Sequence, residues 1–251
     1  LKEELDVTVV AHYYQRDEVF EMADIIGDSL ELARRCKADS NPWVVFCGVG
    51  FMGQSVKVIA PEKRVLMPKI ACCAMARMMD GSYFEESVQY MVDRGIDKEN
   101  ILPITYINSD ASVKAKVGEM GGLVCTSSNA FKIIEKGLES GKKILFVPDR
   151  CLGQNFAIQM GLKSCVIGVD DCDPNEADII CFNVFFSVHQ LFTVDEIEFY
   201  RNKYPDNKIA VHPECDPSVV QAADCSGSTS QLINYVNDID PEQKEARGTE
   251  Y

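Results

Sequence analysis

A repeated unit is the feature of this sequence that most limits how the chain can fold. Residues 46–55 and 146–155 align without a gap at an offset of 100. Four positions match across the two copies. Three are identical, namely Phe46 and Phe146, Gly53 and Gly153, and Gln54 and Gln154, and one pairs two apolar residues, Met52 and Leu152. An internal repeat means that one supersecondary unit is used more than once, so the repeat is identified before any single motif is interpreted.

Three copies share an order of strand, polar tip, second polar tip and helix. The copies begin with short β-branched strands at Val7, Ile104 and Ile209. The first tips follow these strands directly, and the second tips, at 27–29, 126–128 and 227–229, each precede an apolar periodic run. Short strands alternating with helical patterns predict parallel βαβ units with right-handed crossovers.

The predicted fold class is α/β. We expect three pseudo-symmetric, three-layer αβα domains with short parallel sheets, at residues 1–82, 83–190 and 191–251. The third domain is expected to be incomplete, because its copy of the repeated strand falls near residues 245–251, where the sequence stops. Ligands of parallel sheets gather at the carboxyl ends of the strands, so the three sets of tips are expected to converge on one central active-site cavity.

Charge and composition exclude several classes of partner. A net charge of -14 and a pI near 4.7 argue against nucleic acid and against an anionic membrane, because both need a basic protein surface. The longest apolar runs are strand-sized, far short of the roughly 20 residues of a membrane helix. The N-terminus lacks the pattern of a signal peptide. We therefore expect a cytoplasmic protein that binds small molecules.

The eleven cysteines are scattered without the even, regular spacing of a secreted disulfide scaffold, which favours a reducing compartment. Five of them lie within apolar patterns and are interpreted as small buried hydrophobes: Cys36, Cys47, Cys125, Cys165 and Cys225. A cysteine-rich metal-handling module is disfavoured, because the sequence has no close Cys-x-x-Cys pairing.

All three histidines of the chain, His12, His189 and His212, fall at or just after predicted strand ends. One histidine alone is more often structural, but three at such tips favour a functional site, since rigid scaffolds carry binding residues on loops. The second tips precede helices and are suited to N-capping. Free N–H groups at a helix start also bind phosphate or carboxylate, and the two roles do not exclude each other.

Glu214 and two tyrosines are candidates for proton transfer. Glu214 follows His212 and Pro213 at a strand end, where the proline restricts the backbone before it. A carboxylate held beside a histidine is suited to act as a general base. Tyr14 and Tyr106 end the corresponding strands, and their side chains either pack as aromatic rings or donate hydrogen bonds to a developing enolate or carbinolamine.

Ten short motifs, in this order, resemble the quinolinate synthase family over essentially the whole chain. They are His12-Tyr13-Tyr14-Gln15, Gly27-Asp28-Ser29-Leu30, residues 48–52, Cys73-Ala74-Met75-Ala76, Tyr106-Ile107-Asn108-Ser109, residues 125–130, residues 148–153, Val188-His189-Gln190, His212-Pro213-Glu214-Cys215 and Gly227-Ser228-Thr229. One such motif is weak, whereas ten in one order are specific. The resemblance implies three αβα domains around a buried central cavity, in agreement with the repeat.

The resemblance also implies an activity. The family condenses iminoaspartate with dihydroxyacetone phosphate to give quinolinate, a transferase reaction of NAD biosynthesis that releases water and phosphate. An L-aspartate oxidase or an aspartate dehydrogenase is the implied upstream supplier. The implied catalytic residues are Tyr14, Tyr106, His212 and Glu214. The implied substrate-binding residues are His12, Ser29, Tyr106, Ile107, Asn108, Ser127, His189, His212, Pro213, Glu214, Ser228 and Thr229.

The implied cofactor is a 4Fe–4S cluster held by three cysteines, one from each domain, with a fourth iron that acts as a Lewis acid. Cys73 matches the first ligand, and its neighbour Cys72 is less suited. The second ligand position, three residues before His189, holds Phe186. The third ligand is expected beyond Tyr251.

Cys181 is a poor substitute for the missing second thiolate without rearrangement, because it falls in a predicted strand at 179–182. The resemblance therefore predicts that incorporation of the cluster fails in this chain as given. Two hypotheses follow. One is a quinolinate synthase altered at a cluster ligand, and the other is a cluster-free inactive variant that retains only the pocket for an anionic dicarboxylate.

Overall fold

The computed structural model describes residues 1–238 and the backbone of one further strand at 245–248. Two compact units are present. Unit 1 comprises Leu1–Arg77 and Ile107–Ala111, and unit 2 comprises Met78–Tyr106 and the chain from Ser112 onward. None of the described helices is long and apolar enough to cross a bilayer.

Unit 1 is built on a four-stranded parallel sheet with the order β2-β1-β3-β4. Its strands are β1 Val7–His12, β2 Ile25–Gly27, β3 Trp43–Cys47 and β4 Arg64–Leu66. Its helices are α1 Asp17–Phe20, α2 Ser29–Ala38, α3 Gly50–Ile59 and α4 Ala74–Met78, the last of which ends at the boundary with unit 2. His12 is the last residue of the central strand and pairs with Gly27.

Unit 2 contains two parallel sheets. The first has the order β6-β5-β7-β9-β8 and the second the order β11-β10-β12. The strands are β5 Ile101–Tyr106, β6 Leu123–Cys125, β7 Lys143–Val147, β8 Ser164–Ile167, β9 Ile179–Phe182, β10 Lys208–Val211, β11 Cys225–Ser226 and β12 Glu245–Gly248. The helices are α5 Gly81–Val92, α6 Ala111–Glu119, α7 Ala130–Leu138, α8 Arg150–Met160, α9 Val194–Lys203, α10 Pro217–Ala222 and α11 Thr229–Asp238, and 3-10 turns lie at Glu3–Leu5, Lys98–Asn100 and His189–Leu191.

The α/β class and the short parallel sheets are confirmed. The strand expected near the end of the sequence is present as β12, which pairs with β10 as β3 pairs with β1. In each of the three sheets, the first strand of the repeat copy lies between the second and third strands of that copy. The orders are β2-β1-β3, β6-β5-β7 and β11-β10-β12. The division into three domains at residues 1–82, 83–190 and 191–251 stays a prediction.

The offset of 100 recurs in the element boundaries. Strand β3 spans 43–47 and β7 spans 143–147, while α3 starts at residue 50 and α8 at residue 150. Phe46 and Phe146 are both fully buried. Gly53 and Gly153 allow close packing of each helix, because a Cβ at Gly53 would lie 2.7 Å from a Met67 side-chain atom and one at Gly153 2.5 Å from Cys181 Sγ. The repeated glycine is therefore explained by packing.

An offset of 200 links the first and third copies. The Val9 N–H donates to Asp24 Oδ2 at 2.8 Å, and the Ile209 N–H donates to Asp224 Oδ2 at 2.9 Å. Each aspartate returns its own N–H to the carbonyl of the same strand residue, at 2.8 Å in both copies. These paired bonds fix the loop that leads into β2 and β11. The same offset relates His12 to His212, so both histidines leave the sheet at the same position.

Helix starts follow the sequence patterns. Thr193 and Glu196 form the expected capping box at α9, with the Glu196 N–H donating to Thr193 Oγ1 at 3.3 Å and the Thr193 N–H donating to Glu196 Oε2 at 2.9 Å. Helix α2 is capped by Asp28, which accepts hydrogen bonds from the N–H groups of Leu30 and Glu31. Capping at this tip therefore uses Asp28, and Ser29 is the first helical residue.

The expectation for Cys165 was wrong. Cys165 is buried as expected, but it forms a disulfide with Cys172. The physical reason is that β8 is an edge strand, and the chain after it turns back so that Cys172 comes beside Cys165. Cys36 and Cys125 are buried thiols, as predicted, while Cys47 and Cys225 are only half-buried.

Alkylation counts the thiols directly. We expect nine cysteines to be modified in denatured, unreduced protein and eleven after reduction, because nine are outside the disulfide. Reduction is expected to lower the free energy of unfolding by about 2.5 kcal/mol, the loop-closure term for so short a loop. Mass spectrometry of the alkylated protein is the check, and eleven modified cysteines without a reductant would contradict the disulfide.

Candidate active site

The most buried polar cluster of unit 2 lies at the carboxyl ends of its strands. Tyr106 ends β5, and His212 and Glu214 follow β10. His189 lies in the 3-10 turn at His189–Leu191, seven residues beyond the end of β9 and thus farther from a strand end than the sequence predicted. Each of these four side chains is at most 5% exposed. Burial of a carboxylate and two imidazoles is costly unless they have partners, so their contacts define the site.

The Glu214 carboxylate contacts both histidines. Its Oε2 atom is 3.1 Å from His189 Nδ1 and 3.5 Å from His212 Nδ1. The two imidazole rings are stacked, with their centroids 5.1 Å apart and their planes 19° from parallel. Tyr106 donates a hydrogen bond to the Glu214 carboxylate. The tips of two strands and one loop of unit 2 thus meet at a single carboxylate.

The surroundings of Glu214 keep it ionised. Burial alone raises the pKa of this carboxyl group. The charge that His212 takes up in acid, the contact with His189 and the hydroxyl of Tyr106 outweigh burial and hold the pKa below its usual value. An ionised carboxylate in a buried site is able to accept a proton at neutral pH.

His212 has a fixed proton position. The N–H of Glu214 donates to His212 Nδ1 at 3.3 Å, and the N–H of Tyr14 donates to His12 Nδ1 at 3.3 Å in the same way. A ring nitrogen that accepts a hydrogen bond carries no proton, so the neutral ring carries its proton on Nε2. Burial lowers the pKa of both histidines to about 4. Both are therefore neutral Nε2–H donors at pH 7.

The three residues His189, His212 and Glu214 are also of the types that bind metal, with ligand atoms within 4.8 Å of one another. A metal at His212 Nδ1 would have to displace the N–H of Glu214 from that atom. Only His189 and Glu214 then offer uncommitted ligand atoms, whereas mononuclear protein sites use three or more ligands. The cluster is better suited to hydrogen-bonding an organic anion.

Three polar atoms of the cluster lack a hydrogen bond of standard geometry among the described residues, namely His189 Nδ1, His189 Nε2 and Glu214 Oε1. His189 Nδ1 still has the Glu214 carboxylate as a close partner at 3.1 Å, so His189 Nε2 and Glu214 Oε1 are the two atoms without any partner in the described part of the chain. An unsatisfied buried polar atom costs about 1–3 kcal/mol, so a native site usually fills it with a ligand or water. These atoms therefore mark the part of the pocket that a polar ligand would satisfy.

The loop that carries His189 is held by the start of α8. Asp149 caps this helix by accepting the Leu152 N–H at 2.7 Å, and its other oxygen accepts the Phe186 N–H at 3.0 Å. The Arg150 N–H donates to Val184 O at 2.8 Å. Burial raises the pKa of Asp149 strongly, and the charge of Glu214 adds to the effect. The sequence had not singled out Asp149 for this role.

Phe186 contacts the histidine cluster directly. Its ring centroid is 5.0 Å from that of His189. The side chain is half-buried and offers no atom that binds iron. Cys73, the one matched thiolate, is half-buried in unit 1 just before α4, and Cys181 is buried in β9 as predicted. The described residues therefore do not fit the three-thiolate site implied by the resemblance.

The remaining predicted residues lie at the other tips. In unit 1, His12 and Ser29 are buried, Tyr14 is 38% exposed, and Ile107 and Asn108 follow the end of β5. In unit 2, Ser127 is half-buried before α7, Ser228 is buried, Thr229 begins α11, and Pro213 is buried between His212 and Glu214. Within unit 2 the structure brings together Tyr106, His189, His212 and Glu214, while the roles of the other residues stay predictions.

The lowered histidine pKa values predict a loss of stability in acid. In the unfolded chain histidine titrates at about 6.5, whereas His12 and His212 titrate at about 4 in the folded protein. The free energy of unfolding keeps its full value above pH 6.5, where both histidines are neutral in the folded and the unfolded chain. It falls as the pH drops from 6.5 to 4, by on the order of 3 kcal/mol for each group, because the unfolded chain binds the proton first. Urea unfolding at pH 7, 5 and 4 measures the loss, and a 15N titration that placed the pKa of His212 near 6.5 would contradict it.

The fold and the buried carboxylate–imidazole cluster are typical of α/β enzymes that act on small polar molecules. The family model described as quinolinate synthetase A protein matches residues 1–251. A quinolinate synthase of Helicobacter pylori is 55% identical over 251 residues, which cover 100% of this chain and 74% of that relative. Those of Haloarcula marismortui and Corynebacterium glutamicum are 40% and 39% identical, covering 98% and 97% of this chain and 68% and 65% of theirs. The chain belongs to the quinolinate synthetase A family, as the ten motifs predicted.

Proposed function

We propose that this chain carries the substrate pocket and proton-transfer residues of a quinolinate synthase, the enzyme that condenses iminoaspartate with dihydroxyacetone phosphate to quinolinate for NAD biosynthesis in the cytoplasm, and that turnover also needs the cluster ligands tested below. The observation that carries the proposal is the ionised, buried Glu214, whose carboxylate contacts two stacked imidazoles and the Tyr106 hydroxyl. Family membership supplies the substrates. An L-aspartate oxidase or aspartate dehydrogenase is the proposed supplier of the unstable imine.

Glu214 is the proposed general base. The condensation requires several proton transfers, and a carboxylate that stays ionised at neutral pH is free to accept a proton and pass it on. Tyr106 contacts Glu214 and is placed to donate to an oxygen that gains negative charge once Glu214 is protonated. His189 offers Nε2, and His212 its Nε2–H, to the polar groups of the substrate.

The residues at the other tips are proposed substrate ligands. His12 offers a neutral Nε2–H, as His212 does. The hydroxyl of Ser29 is not needed to cap α2, because Asp28 has that role. Tyr14, Ile107, Asn108, Ser127, Pro213, Ser228 and Thr229 complete the proposed set.

The competing hypothesis is a cluster-free binding protein that retains only the pocket. The comparisons do not favour it, and Phe186 is the observation on its side. The two hypotheses agree that a pyridine dicarboxylate binds but differ over whether a cluster-loaded version turns over substrate.

Turnover is therefore tested in a version that carries Phe186→Cys and extends beyond Tyr251 with the family's following segment. This protein is reconstituted anaerobically and supplied with dihydroxyacetone phosphate and with iminoaspartate generated in place. We expect quinolinate, measured by mass spectrometry. A cluster-loaded, quinolinate-binding version that forms none would overturn the proposed function and leave the binding protein.

A further inference from the structure

A side chain outside the predicted site donates hydrogen bonds to the tip that carries Glu214. Asn155 lies on α8, is 2% exposed, and uses its Nδ2 group to donate to Pro213 O at 2.8 Å and to Cys215 O at 2.8 Å. The two acceptors are the carbonyls on either side of Glu214. Both hydrogens of this amide are therefore donated to the backbone that carries the proposed base, Glu214.

Helix α8 also holds the loop that carries His189, the other side of the cluster. About one and a half turns before Asn155, the helix start fixes the loop of His189, because Asp149 accepts the Phe186 N–H and the Arg150 N–H donates to Val184 O. The contact of 3.1 Å between His189 and Glu214 joins two segments that are both anchored to α8. The helix is thus the common frame for the two sides of the cluster.

The repeat shows what the same helix position does without this contact. At the offset of 100, Asn155 corresponds to Ser55 on α3, whose Oγ donates to Phe51 O of its own helix at 2.8 Å. A serine is therefore compatible with the helix but reaches only local backbone. Asparagine at residue 155 extends the donor to the neighbouring tip.

We propose that Asn155 is a positioning residue, which holds the backbone at 213–215 so that Glu214 stays aligned with His189 and His212. Only the kinetic consequence of this proposal rests on the proposed function. The geometric part concerns this chain alone: without the two Asn155 bonds, the turn loses its anchor to α8, and the Glu214 N–H no longer stays on His212 Nδ1.

The first test is 15N NMR of the given chain with labelled histidine, which yields three ring systems because the sequence has three histidines. In the unaltered protein we expect His212 to carry its proton on Nε2 alone. In Asn155→Ser, we expect His212 to exchange between tautomers and its Nδ1 resonance to move, while His12, which has the same N–H contact on unit 1, keeps its signals.

The matched control is Ser87→Ala. Ser87 is buried on α5 in the same unit, and its Oγ donates to Tyr83 O at 2.8 Å. The control loses a buried hydrogen bond far along the chain from the tip, so it measures the effect of lost stability alone. Unchanged His212 signals in Asn155→Ser, or equal changes in Ser87→Ala, overturn the proposal. Asn155→Ala replaces Asn155→Ser if the serine variant does not fold.

The second test is kinetic and uses the cluster-loaded, extended version. We expect Asn155→Ser to lower kcat on the order of 10²-fold, the cost of displacing a catalytic group by about 1 Å, with KM changed less than about threefold. A raised KM with unchanged kcat overturns the positioning role. If the unaltered version is inactive, the proposed function fails, and the NMR result still decides the role of Asn155.

Discussion

Replacing Phe186 by cysteine and extending the chain past Tyr251 should convert a protein without a stable cluster into one that holds about four iron and four sulfide atoms per chain. The resemblance matches one thiolate of this chain, Cys73, and a phenyl ring lies 5.0 Å from His189 at the position where the resemblance implies a second thiolate. Each single repair still leaves two thiolates at most. We expect full cluster and synthase activity only when both repairs are present.

The measurement compares iron and acid-labile sulfide in four anaerobically purified proteins: the given chain, each single repair and the double repair. Phe185→Cys is a matched control, since it puts a thiol next to the tested position on the same loop. We expect the control to load no better than the unaltered chain. Stoichiometric cluster in the given chain would show that the ligand assignment is wrong.

Glu214→Gln in the cluster-loaded version should lower the rate of quinolinate formation by roughly 10²- to 10⁴-fold, which is the rate factor that a general base usually contributes. The amide keeps the shape of the carboxyl group and its contacts with Tyr106 and His212, but it cannot take a proton. We therefore expect the dissociation constant of quinolinate to change little. Activity is followed by product mass spectrometry and binding by calorimetry.

Glu139→Gln is the control for the loss of one negative charge, because Glu139 is exposed at the end of α7. We expect normal turnover in this variant. Near-normal turnover in Glu214→Gln would remove Glu214 from the role of base. Loss of quinolinate binding along with turnover would instead indicate that Glu214 holds the ligand.

Much of this arrangement was predictable from the sequence, because repeats and strand patterns report on local structure. The alignment of residues 46–55 with 146–155 predicted two strand–helix elements whose boundaries share the offset of 100. The placement of His212 and Glu214 after a strand predicted that they would lie at a sheet edge. The expected capping box at Thr193 is also present.

Other features depend on contacts between segments that are distant in sequence. Nothing in the pattern around Asn155 reveals that its amide reaches residues 213–215, about 60 positions away. The stacking of His189 on His212 depends in the same way on where a loop folds. Cys165 was misjudged because an apolar pattern gives the burial of a cysteine but not the identity of its neighbour.

The attachment of residue 186 has a consequence for how the scaffold tolerates change. Asp149 holds that residue by its main-chain N–H at 3.0 Å, a group that every amino acid except proline supplies. The side chain at 186 is therefore exchangeable while the neighbouring His189 keeps its anchor. Substitution of residue 186 by cysteine, histidine or aspartate would therefore compare the metal preferences of a single pocket.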